Sequence, residues 1–155
     1  MLDDAIGEFE KAVEIDPGSA EGRFNLGAAL LSRGREDEAQ AELEVAIRLA
    51  PDNSMAHYQL GLIYSRKAMF GRAVAAFQRV TALDGESPET CYQMGLALSS
   101  LDRLEDAERY LAKAAEAEPL NPRIHYQLGI VRDRLGRSVE ARDSYRRADE
   151  LHGKP

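Results

Sequence analysis

His57, Cys91 and His125 are the residues of this chain whose chemistry most resembles a nucleophile with its general bases, since an imidazole that takes a thiol proton makes cysteine strongly nucleophilic. Their spacing argues against that use. Each follows the last by 34 positions, and equivalent atoms of helices stacked at that period lie about 8–10 Å apart, where proton abstraction needs about 3 Å. A repeated packing position explains all three. The two histidines stand two periods apart, too far to share a metal, and the sequence holds no Cys-x-x-Cys pair, glycine-rich phosphate loop or metal-binding histidine motif. No catalytic residue, metal or cofactor is expected.

Binding chemistry is better supplied. One aromatic residue recurs at Phe24, Tyr58, Tyr92 and Tyr126, one amide at Asn25, Gln59, Gln93 and Gln127, and one apolar residue at Ala28, Leu62, Leu96 and Ile130. Tyrosine gives a rigid face with a polar tip at low entropic cost, as interface anchors require. An amide both donates and accepts, so a row of them can pair with successive backbone amides of an extended peptide. Arg66, Arg123 and Arg134 add scattered cations, with an acid-preferring end near the last two. A plainer reading also holds here: the tyrosines fill space between neighbouring helices, and the amides bond to those helices.

What positions these columns is a repeat. Leu26-Gly27 returns as Leu60-Gly61, Met94-Gly95 and Leu128-Gly129, always 34 residues on, and a fixed period of this length marks a solenoid whose units bury their apolar faces on one another. Within a unit the spacing is helical. Leu26, Gly27 and Leu30 share one face of a first helix. Ala39, Leu43 and Ala46, repeated as Ala73, Phe77 and Val80, as Ala107, Leu111 and Ala114, and as Ala141, Tyr145 and Ala148, form a small-large-small stripe on a second. Glycine inside a helix costs about 1 kcal/mol against alanine, so its recurrence predicts close backbone approach to the partner helix. Gly34 and Gly136 suit the turn between the two helices, whereas Ala68 and Asp102 hold that place elsewhere and imply a looser turn or one more helical residue.

These residues resemble the tetratricopeptide repeat, a family with a large residue and Leu-Gly early in the unit, alanine and an aromatic later, and proline at its end. The resemblance implies an all-α, right-handed superhelical solenoid of stacked antiparallel helix pairs: a single array over 1–155, with repeats at 20–53, 54–87, 88–121 and 122–155. Residues 2–17 match the second half of an earlier unit, an orphan helix whose Ala5, Phe9 and Ala12 lack their usual cover. Chaperone-binding members clamp a carboxylate with lysine, arginine and asparagine. Of the matching positions here only Arg123 is such a cation, so that clamp is not expected.

Composition narrows the class of partner. A net charge of −7 disfavours nucleic acid and acidic membranes, which call for clustered cations. The lone Cys91 needs no oxidising compartment, and no apolar run nears the roughly 18 residues of a membrane span. The start, Met1-Leu2-Asp3-Asp4, lacks the basic and apolar parts of a signal peptide. The expectation is a cytoplasmic, non-enzymatic scaffold or adaptor that holds a protein or peptide in a concave groove. Two alternatives stand beside it: self-association through Ala5, Phe9 and Ala12 into a homo-oligomer, and service as the regulatory arm of a larger enzyme.

Overall fold

Helix ends are written into the sequence at every other element. Ser19 Oγ accepts from the Gly22 amide, Asn53 Oδ1 from Ala56, Ser87 Oγ from Thr90 and Asn121 Oδ1 from Arg123. Each satisfies an amide that has no partner within its own helix. In the computed structural model, which describes residues 1–152, these caps start α2 (Ala20–Ser32), α4 (Ser54–Arg66), α6 (Pro88–Ser100) and α8 (Pro122–Arg134). Positions 153–155, the end of the expected fourth repeat and the place of Lys154, lie outside the described residues. The intervening helices are α1 (Leu2–Ile15), α3 (Glu36–Leu49), α5 (Phe70–Asp84), α7 (Leu104–Ala117) and α9 (Ser138–His152). Both α3 and α7 begin without a side-chain cap, but carry acids in the first turn that complement the helix dipole. All regular structure among the described residues is helical.

The chain divides into two units, Met1–Ala68 and Met69 onward. In the first, α2 and α3 form the most extensive helix pair, with α1 packed on α2 and α4 on α3. Its core is Ile6, Val13, Leu26, Leu30, Ala39, Leu43, Leu60 and Ile63. In the second, α6 pairs with α7 and α8 with α9, while α5 packs on α6. Met94, Leu98, Leu111, Ile124, Leu128 and Val131 are buried there. Truncating a fully buried leucine such as Leu43 or Leu111 to alanine costs about 2–5 kcal/mol.

The expected close approach is present. A Cβ on Gly27 would meet Leu43 Cγ at 2.8 Å, and one on Gly129 would meet the Tyr145 ring at 2.5 Å. The turns are more uniform than expected. Ala68 and Asp102 take positive φ, 56° and 61°, beside 81° at Gly34 and 75° at Gly136. The same left-handed residue therefore ends all four first helices whether or not glycine provides it. Around Asp102 the Arg103 amide donates to Leu98 O and the Asp102 amide to Ser99 O, as Arg35 and Gly34 do to Leu30 and Leu31. These bonds satisfy carbonyls that the helix end leaves free, and so offset the strain of a non-glycine residue.

Candidate functional site

In the first unit the wall formed by α2 and α4 gathers part of each expected column. Ala28 and Gln59, with Leu31, Ser32, Glu36 and Arg66, line an open depression of about 470 Å³. Asn25, Gln59 and Leu62 are half-buried on the same helices, as are Phe24 and Tyr58. Phe24 spends its ring against the core. Arg66 is held by Glu36, Nε to Oε1 at 2.5 Å, so the cation at the depression's edge is already neutralised. Among the described residues no side-chain hydrogen bond engages the amides of Asn25 or Gln59.

The second unit treats the same columns differently. Tyr92 is 7% exposed, with the Arg123 guanidinium over its ring 5.4 Å from the centroid, whereas Tyr126 is 51% exposed and leans on Tyr145 at 5.7 Å. Two members of one column thus play different parts, one a packing residue and the other an open face. Burial, with a smaller push from Asp133, raises the Tyr145 hydroxyl above its ordinary pKa. Gln93 donates to Glu89 of its own helix at 2.8 Å, while Gln127 has no such bond among the described residues. Leu96 and Ile130 are half-buried. Arg134 is committed to the end of α6: its guanidinium donates to Ser99 O, Ser99 Oγ and Asp102 Oδ1 at 2.8–2.9 Å. Of the two arginines expected to attract an acid, only Arg123 keeps a charge outside an ion pair among the described residues.

The recurring His57–Cys91–His125 position has a structural use that the sequence did not disclose. His57 Nε2 donates to Pro51 O at 3.0 Å, His125 Nε2 to Pro119 O at 2.9 Å, and Arg23 Nε to Pro17 O at 3.4 Å. Two kinds of donor, an imidazole in two places and a guanidinium in the third, tie a first helix to the proline carbonyl six residues earlier. The available signal was a proline six positions ahead of each donor. At the fourth such place Gly85 replaces proline and Cys91 is buried, its thiol pKa pushed up by desolvation, so it stays protonated and unreactive near neutrality. The described residues contain no His, Cys, Asp or Glu group able to hold a metal, and no helix long and apolar enough to cross a membrane.

Comparisons with known proteins bear on the family and the fold. Three tetratricopeptide-repeat models match residues 1–62, 56–87 and 92–154, and the chain belongs to the tetratricopeptide repeat family. Its helix-pair fold recurs in solved structures. A MamA crystal structure is 25% identical over 97% of this chain and 82% of its own, with a TM-score of 0.90. MamA from Desulfovibrio magneticus RS-1, residues 41 to the end, is 21% identical over 97% and 85%, with a TM-score of 0.91. YrrB, described as a TPR protein with an unusual peptide-binding site, is 23% identical over 97% and 77%, with a TM-score of 0.91. No curated protein matches the sequence.

Proposed function

We propose that this chain is a non-catalytic interaction module that holds an extended peptide or short helix of a partner protein on its first-helix walls, within a reducing, cytoplasmic setting. The observation that carries this reading is the depression of about 470 Å³ over Ala28, Gln59 and Arg66, whose Gln59 amide, like that of Asn25 on α2, has no side-chain hydrogen bond among the described residues. An unspent amide recognises backbone, which suits a partner read by its main chain more than by its charge. The second unit contributes Gln127, Tyr126, Leu96 and Ile130 on its own wall, with Arg123 as the cation for an acidic side chain. In this reading the residues over 2–17 are the second half of a repeat and four whole repeats follow from 20 to 155. The peptide-binding description of YrrB supports a binding role.

The test is a peptide array probed with the wild type and with Asn25→Ala, Gln59→Ala, Gln127→Ala combined. These half-buried amides support no other side chain, so the variant keeps its melting temperature and loses peptide binding. Equal binding by both proteins refutes the wall as the site.

A further inference from the structure

The side of α8 opposite its wall residues meets α7, and the two helices do not close on one another completely. His125, Leu128 and Arg132 recur at helical spacing on that side, away from Tyr126, Gln127 and Ile130, and α7 presents Ala112, Ala115 and Glu116 to them. These six residues line an open cleft of about 290 Å³. Helices flank it on both sides, since α6 pairs with α7 and α9 with α8.

The equivalent places elsewhere in the chain explain the opening. Two periods earlier, Glu44, Ile47 and Tyr64 stand where Ala112, Ala115 and Arg132 do here. Ile47 and Tyr64 pack against the core of the first unit, and the Tyr64 hydroxyl donates to Glu44 Oε1 at 2.9 Å. One period earlier Leu98 holds the place of Arg132 and is 2% exposed. Arg132 is diverted instead. Its Nε donates to Glu108 Oε1 at 2.8 Å and its Nη1 to Ser144 Oγ at 2.9 Å, which commits the guanidinium to the first half of α7 and to α9. Two alanines and a diverted arginine thus leave a cleft where the first unit carries its own phenol. A carboxylate is still present, one helical turn further on. Glu116 stands four residues beyond Ala112 on the same face, is exposed, and makes no hydrogen bond or ion pair among the described residues.

We propose that this cleft is a binding site for a tyrosine side chain of a partner protein. The ring lies against Ala112, Ala115 and Leu128, and its hydroxyl donates to the Glu116 carboxylate as that of Tyr64 does to Glu44. A cleft of this volume takes one ring and leaves the rest of a ligand outside, which suits a side chain carried on a polypeptide better than a larger free cofactor. The Arg132 guanidinium at its edge favours an aromatic occupant over an aliphatic one, and Glu116 disfavours an acidic one. The site shares no residue with the first-helix wall, so its test is separate from that of the wall.

The probes are N-acetyl-tyrosine amide and N-acetyl-phenylalanine amide, titrated into the full chain while its backbone amide resonances are followed by NMR. Saturable shifts are expected at Ala112, Ala115, Glu116 and His125, with the tyrosine probe bound about tenfold more tightly than the phenylalanine probe, as a charge-assisted hydrogen bond supplies. Ala115→Ile installs the side chain that α3 carries as Ile47. It closes the cleft, removes the shifts from both probes and leaves the rest of the spectrum intact. Glu116→Gln, at an exposed site, weakens the tyrosine probe about fivefold or more and leaves the phenylalanine probe unchanged. The combined Asn25→Ala, Gln59→Ala, Gln127→Ala variant binds both probes as the wild type does. No saturation, equal affinity for the two probes, saturation that survives Ala115→Ile, or a Glu116→Gln effect shared by both probes would each overturn the proposal. Self-association of the chain alone that Ala115→Ile abolishes would also overturn it, by giving the cleft to a tyrosine of a second copy, such as the exposed Tyr126.

Discussion

Leu111 occupies the space that a side chain on Gly95 would need: a Cβ there would lie 2.6 Å from Leu111 Cγ and 3.3 Å from Ala107 O. Because one of those neighbours is backbone, the helices themselves must part to admit a larger residue. Gly95→Leu therefore destabilises by about 1–3 kcal/mol, as overpacking does. Thermal or urea unfolding measures it. Combined with Leu111→Ala, the penalty falls well short of the sum of the two single changes, since the pair shares one volume. Strict additivity would mean that the glycine serves something other than close approach.

Ala68 pays for a left-handed backbone that glycine adopts freely. Ala68→Gly is expected to stabilise by about 1 kcal/mol, read as a rise in melting temperature. Asp102→Gly gains less, because Asp102 also accepts from Arg134. A lower melting temperature for Ala68→Gly would refute strain at that turn.

Tyr92 and Tyr126 should separate under alanine substitution. Tyr92→Ala empties a buried place and costs about 3 kcal/mol or more, with loss of the arginine contact included. Tyr126→Ala, at an exposed ring, costs about 1 kcal/mol or less, yet weakens peptide binding if the wall reading holds. Denaturation and the peptide array together distinguish packing from recognition.

The Asp37 carboxyl is held below its ordinary pKa chiefly by the hydrogen bond from Lys67 Nζ, at 2.6 Å, and also by that ammonium's charge. A depressed carboxylate contributes stability above its unfolded-state pKa and loses it as pH falls through the lowered folded-state value. The side chain is fully exposed, so the contribution to stability is small and the titration is the better readout. Carboxyl NMR should show the Asp37 midpoint returning upward in Lys67→Met. An unmoved midpoint would contradict the pairing.

The sequence disclosed the helix pairing because its cause is periodic: each Leu-Gly step and each small-large-small stripe recurs at one interval, and packing imposes that interval. The turns at Ala68 and Asp102 were harder to read, since hydrogen bonds to Leu98 and Ser99, rather than residue type, hold Asp102 left-handed. The proline-carbonyl ties escaped notice because arginine and histidine look unlike each other in a column and share only a ring or guanidinium N–H. Tyr92 and Tyr126 looked alike for the opposite reason. Their exposure is decided by Arg123 and Tyr145, which belong to other helices.

Arg134 reaches back to Ser99 across 35 positions, and the proline ties span only 6. Contacts of such short sequence separation demand little loop closure, so chain entropy is recovered almost as soon as it is spent. Folding can accordingly start in more than one pair and spread to its neighbour, and fraying at one terminus need not propagate to the other.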